Sequence, residues 1–455
     1  MTAPAISRTL AEFACTLCFE DIPPGTLKTT KNHLLDCLGV GLAGSREEPA
    51  RICYETFALL AGREEATVLG QKRRMAAMEA ALINGTAIHS IELDDGRVGS
   101  AVHAGASTLP TVLALAEREG KGGRDFILAA LIGYEVTLRV AMAMFPHHRR
   151  MGFHPTGTCG GFGAAAAAGK LLGLSVPQMM NALGLAGTFG SGLREGERDA
   201  LMMKRLHAGR AAQNGILAAL LAKNNYQAPE TIFEGDNGFF RLLGKEFDAR
   251  KITDSLGRNF VTDQSYYKLY ACTRHLHAPI ESLLGILKKQ EVSPEEVEQI
   301  SVRIYKEGTY YPEAEPQNIL DAQFSLPYTL AVVFYERQAS LEQYREEKIR
   351  QPHLRALARK VKVELDPALD EEYVQKKKYA NILEIRLKDG RRIQNRVDYP
   401  RGSLENPFTD EEVRGKFKSL APLAIGREKT AKILSLWENL ENLGGMAILG
   451  DLLQP

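Results

Sequence analysis

The segment ILEIRLKDGRRIQNRV, residues 382–397, decides how this chain is divided. Leu383, Ile385 and Leu387 alternate with polar neighbours, Asp389-Gly390 follows, and Ile393 and Val397 lead away. Period-two alternation on both sides of Asp-Gly reads as a β-hairpin closed by a two-residue turn. The same pattern recurs upstream. Residues 299–305 alternate Ile300, Val302 and Ile304 against polar positions, and Val361, Val363 and Leu365 repeat it. Residues 268–404 therefore read as a small α+β domain.

On either side of that domain the period is helical. Residues 5–20 read as a helix capped near Ser7 and stopped by Pro23-Pro24, and a longer one follows to Gly39. Ala- and Leu-rich runs continue through 48–145 and 202–221. The stretch CGGFGAAAAAGKLLGL, 159–174, is almost all small residues and reads as the centre of a helical core. It is not a P-loop: five residues separate Gly163 from Gly169, and Leu171 follows the lysine where a hydroxyl should bind magnesium. Beyond 404, Thr409-x-x-Glu412 is a capping box, with helices expected at 410–419 and 427–441. The fold class is mainly α: a large helical domain built from both chain ends, 1–267 and 405–455, with 268–404 inserted as a smaller α+β lid.

Composition excludes several classes of function. The chain has 455 residues, 44% hydrophobic and 25% charged, with a net charge of +1. There is no electrostatic case for nucleic acid or an anionic membrane. No apolar run reaches the ~18 residues of a membrane helix. The N-terminus carries Glu12, Glu20 and Asp21 and lacks a signal-peptide core, so a cytoplasmic protein is expected. Six cysteines in so long a chain make no disulfide framework. Cys15-x-x-Cys18 lies on an amphipathic helical pattern, which two core cysteines also produce.

The chemistry concentrates at HSIELDDGRVGSAVHAGASTLP, 89–110, set between two helix-like runs. A glutamate, two adjacent aspartates and two histidines between core helices are costly unless paired or reactive. Glu92, Asp94, Asp95 and His103 come from this loop. His154, before a glycine cluster, and His207, near Lys204, keep unusual company. Each histidine also has a bland reading as a core or capping residue. His89 reads as structural, on a helical face. Lys204 among Met202, Met203 and Leu206, and Lys268 among Tyr266, Tyr267 and Tyr270, read either as snorkelling side chains or as fixed cations for a carboxylate. Arg274 could clamp a second carboxylate bidentately. Asp94, Asp95, His103, His154 and His275-x-His277 are metal-ligand types, but HExxH, zinc-spaced cysteines and an EF-hand loop are all missing, so no metal is expected.

Several segments together resemble the MmgE/PrpD family, which includes 2-methylcitrate dehydratases, cis-aconitate decarboxylases and an iminodisuccinate epimerase. They are 13–44, HSIELDDG…VHAGAS (89–107), GYEVTLRVA (133–141), GFHPTGTCGGFGAAAAAGKLLGL (152–174), KRLHAGRAAQNGILAALLA (204–222), YKLYACTRHLHAPIE (267–281), AQFSLPYTLA (322–331) and RGSLENPFT (401–409). The pieces cover essentially the whole chain in family order. The resemblance implies a homodimer without an organic cofactor. It also implies a cleft lined by the acidic loop, His103, His154, Lys204 and Lys268. The chain departs from the family where the acidic loop usually reads Asp-Phe-Asp-Asp-Thr: here it is Glu92-Leu93-Asp94-Asp95-Gly96.

The expectation is a lyase, first of all a dehydratase, acting on a small di- or tricarboxylate. His103 and His154 are the acid–base pair, and Asp94 or Glu92 orients a histidine. Lys204, Lys268, Arg274 and His207 bind substrate. Decarboxylation and epimerisation are the alternatives within the family, and a non-catalytic helical binding protein is the alternative outside it.

Overall fold

The computed structural model describes residues 5–60, 62–198 and 201–455. It is mainly α, 60% helix and 8% strand. It falls into two units, Met1–Tyr266 together with Thr409–Pro455, and Tyr267–Phe408.

The helices of the first unit that frame the site include α1 (Pro24–Gly44), α2 (Ala77–Ile88), α3 (Ala104–Arg118), α4 (Gly123–Ala143), α5 (Pro155–Leu171) and α6 (Met203–Lys223). The glycine- and alanine-rich α5 is central and packs on α3, α4 and α6, while α6 also packs on α2. Pro155 starts α5 at a position where its missing N–H costs nothing. The small residues explain the placement. A Cβ on Gly163 would fall 1.9 Å from Thr137 Oγ1 on α4, and one on Gly209 of α6 would fall 2.0 Å from the carbonyl oxygen of Leu82 on α2. These helices approach too closely for any side chain at those points.

Helix α4 corrects the expectation about apolar runs. It is long and apolar enough to cross a membrane, yet 94% of its most apolar window is buried in the protein's own core. It also carries a buried Glu135–Arg139 pair, 3.0 Å apart. Arg139 donates to the carbonyls of Ile252, Asp254 and Asn259, and Glu135 accepts from the backbone N–H and hydroxyl of Thr262. Both charges are satisfied, which is what makes such burial tolerable.

The first helix runs Ile6–Thr16, with Ala5 at its N-cap instead of Ser7, whose hydroxyl is buried without a partner. Cys15 and Cys18 do not share that helix. The Cys15 thiol donates to the Leu174 carbonyl, while Cys18 lies beyond the helix end and is exposed. The helix Asp410–Leu420 packs on α1, and its capping box is formed: Thr409 Oγ1 accepts from the Glu412 N–H at 3.2 Å, and Glu412 accepts from the Thr409 N–H at 2.7 Å.

The second unit contains a four-stranded sheet. Its strands are β1 (Val297–Ile304), β2 (Val361–Leu365), β3 (Asn381–Leu387) and β4 (Arg392–Val397), in the order β2-β1-β3-β4. Only β1 and β2 are parallel. Helices α7 (His277–Lys289) and α8 (Leu326–Glu336) pack against it. Ile300, Val302, Ile304, Leu383 and Ile385 are all fully buried, as alternation requires of one face. The hairpin forms, but with a three-residue loop. Ile385 pairs with Ile393, and the Leu387 N–H donates to the Arg391 carbonyl, leaving Lys388, Asp389 and Gly390 to turn. Gly390 takes φ +88°, the left-handed position that closes three-residue hairpins.

Candidate active site

The acidic loop runs from His89, the C-cap of α2, to His103, the N-cap of α3. Glu92 and Ala101 both sit at φ 54°, a left-handed conformation that side chains disfavour. Such strain persists only where surroundings over-determine the backbone, and the surroundings here are specific. Asp95 accepts from the Tyr134 hydroxyl at 2.7 Å and the Gly105 N–H at 3.2 Å, and lies 3.2 Å from His33 Nδ1. Lys416 donates to the Leu93 carbonyl at 2.8 Å and pairs with the buried Asp36 at 2.8 Å. Gly96 and Arg97 pair as a short strand with Tyr266 and Ser265. Asp95 is thus an anchor that shapes the loop.

Four imidazoles follow one another in space. Ring centroids are 5.1 Å apart for His103 and His89, 5.5 Å for His89 and His154, and 5.1 Å for His154 and His207. His103 Nδ1 lies 2.6 Å from the Asp95 carbonyl oxygen, which can only accept, so that nitrogen carries a proton and Nε2 is left as the basic atom. Asp94 Oδ2 lies 2.6 Å from His89 Nδ1 and 3.4 Å from His103 Nδ1. His154 Nδ1 and His207 Nδ1 are 2.9 Å apart, a separation at which the two rings share one proton. His103 keeps 15% of its side chain exposed, whereas His154 keeps 2% and His89 none. His103 is therefore more open to a ligand than His89 or His154, and His207 at the other end of the row is likewise only partly buried.

Burial sets the proton affinities. It lowers His89 to about 4, outweighing the opposite pull of Asp94 and helped by Lys204. It drives His154 well below the usual histidine value, with His89, His207 and Lys204 pushing the same way. His207 is lowered too, by burial first, against the attraction of Glu197. Burial would raise Glu197, but Arg149 and Arg194 beside it bring it down to about 2. Glu197 lies 3.7 Å from His154 Nε2, 2.8 Å from Arg194 and 3.3 Å from Arg149.

Glu92 turns out to face cations. Its Oε1 accepts from Lys204 and, at 2.9 Å, from Arg205, which also donates to the His89 carbonyl at 3.0 Å. All three side chains are buried. Asp94, expected to orient a histidine, lies against His89. Lys268 and Arg274 belong to the second unit and are buried there. Arg274 donates to the carbonyls of Tyr267, Pro400 and Arg401 and to the Ser403 hydroxyl, contacts that tie its own segment to residues 400–403. That arrangement supports a structural role better than a substrate clamp.

His89, Asp94 and His103 place donor atoms within 4.8 Å of one another, the spacing of a metal-ligand set. Both Nδ1 atoms face oxygen acceptors and hold the ring protons, which puts each ring's lone pair on Nε2. Sequence reasoning missed His89, Arg205 and Glu197. His89 opens the loop five residues before Asp94, and Arg205 adjoins Lys204; those adjacencies were the available signals.

A helical core that gathers imidazoles, carboxylates and an ammonium group into one buried cluster has the groups that acid–base chemistry needs. The MmgE/PrpD N-terminal domain model matches residues 8–251 and the MmgE/PrpD C-terminal domain model matches residues 270–442. A cis-aconitate decarboxylase of Aspergillus terreus is 28% identical, over 98% of this chain and 96% of its own length. The human cis-aconitate decarboxylase is 28% identical over 94% and 90%. A mitochondrial 2-methylcitrate dehydratase of Yarrowia lipolytica is 23% identical over 83% and 76%. The chain belongs to the MmgE/PrpD family and is a lyase of its type.

Proposed function

We propose that this lyase acts on a small tricarboxylate of the citrate–aconitate kind, with His103 as its principal proton carrier. The observation that carries the reading is the pinned imidazole. The Asp95 carbonyl holds His103 Nδ1–H, which leaves Nε2 to take and return a proton at a partly exposed end of the row. Dehydration needs a base to take the proton beside a carboxylate and an acid to help hydroxide leave. Decarboxylation needs a cation to hold the remaining carboxylates and an acid to protonate the carbanion left by CO2. Both use a proton carrier near neutral pKa and fixed positive charge. His154, linked to His207 and Glu197, supplies the second proton position. Lys204 supplies a cation that Glu92 now occupies, so a substrate carboxylate competes with Glu92 for it. Lys268 is proposed as a further cation, the unit at 268–404 as a lid, and a homodimer as the working form; these rest on the family resemblance.

Dehydration is the first reading. Decarboxylation is the second, favoured by the cis-aconitate decarboxylases that match over more than nine-tenths of this chain. The departure of the acidic loop from the family's usual pattern at Glu92 and Gly96 argues against methylcitrate itself as the substrate. Proton NMR in D2O over a panel of hydroxy- and unsaturated tricarboxylates tests both. A new vinylic product marks dehydration, and release of CO2 with uptake of one deuteron marks decarboxylation. A panel left unconverted and unexchanged by the wild-type enzyme contradicts the proposal.

A further inference from the structure

The acid–base reading employs His103, His154 and His207 and leaves His89 over. This imidazole is fully buried. Its Nδ1 meets Asp94 Oδ2 at 2.6 Å, and its Nε2 is buried without a hydrogen-bond partner. A leucine would fill the space without stranding a polar atom, so packing alone does not account for an imidazole here. The same Asp94 oxygen lies 3.4 Å from Nδ1 of His103. One carboxylate oxygen therefore serves two imidazoles.

With Asp94 ionised, the 2.6 Å contact is a charge-assisted hydrogen bond in which His89 Nδ1–H donates. Such a bond takes up part of the carboxylate's negative charge and fixes the position of Oδ2. What remains of that charge acts on His103. We propose that His89 is a positioning residue for His103, working through Asp94: its Nδ1–H bond sets how strongly the carboxylate pulls a proton onto the working imidazole. The proposal rests on the reading of His103 as the proton carrier and names what tunes it.

The surroundings of His89 fit a constant donor. Asp94 and His103 of the loop, His154 at the start of α5 and Lys204 of α6 face it, and Arg205 of α6 holds its carbonyl. Burial and Lys204 keep its proton affinity down at about 4 against the pull of Asp94. The ring accordingly stays neutral at neutral pH, where it donates one unchanging hydrogen bond.

Two substitutions separate the donor from the rest of the ring. Asparagine places an amide N–H near the position of Nδ1–H and lacks Nε2, whereas leucine lacks both. In His89→Leu the unshared charge of Asp94 should raise the His103 midpoint by about one pH unit, and the acid limb of kcat/KM should follow. In His89→Asn both should return close to wild type. Imidazole ¹⁵N NMR titration of the resting full-length enzyme reads tautomers and midpoints without turnover. It should show wild-type His89 as a neutral Nδ1–H tautomer down to about pH 5.

A His89 protonated at Nε2 instead, or a His103 midpoint identical in wild type and His89→Leu, would overturn the inference. If His89→Leu does not fold, the wild-type tautomer and His89→Asn still decide. The failures are separable, because an enzyme inactive on every tricarboxylate defeats the proposed function while the NMR coupling is judged independently.

Discussion

Glu92→Ala tests whether the acidic loop is locked by charge. The substitution removes the carboxylate that Lys204 and Arg205 share and leaves two buried cations where one pair of bonds had been. At 2.9 Å, opposite unit charges attract by about 6 kcal/mol at an effective dielectric of about 20. Part of that attraction offsets the cost of burying the ions, a cost the variant still bears for the two cations. Breaking a buried pair from one side costs about 3–5 kcal/mol, and the surviving bond from Arg205 to the His89 carbonyl places this case toward the lower end.

The chain's single tryptophan reports on the right unit. Trp437 is buried in the first unit, with its indole N–H donating to the Lys31 carbonyl at 3.0 Å. Guanidinium denaturation followed by Trp437 fluorescence should therefore show the whole loss. Glu92→Gln, which keeps an acceptor but not the charge, should lose roughly half as much. Glu92→Gly should be about 1 kcal/mol more stable than Glu92→Ala, because glycine adopts φ 54° without strain. A loss under about 1 kcal/mol in Glu92→Ala, below the range for a broken buried pair, would refute the charge lock.

Four other expectations follow from the same geometry. His89, His154 and His207 all have proton affinities lowered in the fold, so the stability they contribute is complete above the ordinary histidine value of 6.5. It is lost as the pH falls from there toward about 4, and Trp437 denaturation midpoints measured across that window should fall accordingly. Glu197, held at about 2, contributes stability present above its ordinary 4.5 and lost as the pH drops toward 2; Glu197→Gln should flatten that lower part of the profile. His154→Ala should reduce turnover by about 10²–10⁴-fold with an unchanged circular dichroism spectrum, and wild-type turnover would remove it from the acid–base row. Gly209→Ala would press a methyl into the Leu82 carbonyl and the Thr86 hydroxyl. It should cost about 1–3 kcal/mol in the same denaturation assay.

The sequence was most legible where one residue pattern had one physical meaning. Alternation at 299–305 and 382–397 located strands because a strand's two faces are written directly into the chain. The small residues of 159–174 located a central helix because only close packing repays them. The hairpin loop was misjudged by one residue, since Asp-Gly serves a three-residue loop as well as a two-residue turn. Within the site, Asp94, Asp95 and His103 stood out by density, yet their division of labour did not. Asp95 anchors the backbone, Asp94 holds His89, and Glu92 holds Lys204 and Arg205. Those pairings join residues up to 113 positions apart and depend on how α2 and α6 approach at Gly209. His89 looked like a helical-face residue because it ends a helix. Glu197 drew no reading from the sequence, because one of the two guanidinium groups that let it be buried, Arg149, is 48 positions away.

The proton-carrying role of His103 is tested most directly by chemical rescue. On whichever tricarboxylate the enzyme converts, His103→Ala should lose about 10²–10⁴-fold in kcat, and free imidazole added to the assay should return a measurable part of it in proportion to its concentration. A His103→Ala enzyme that turns over at the wild-type rate would contradict the account.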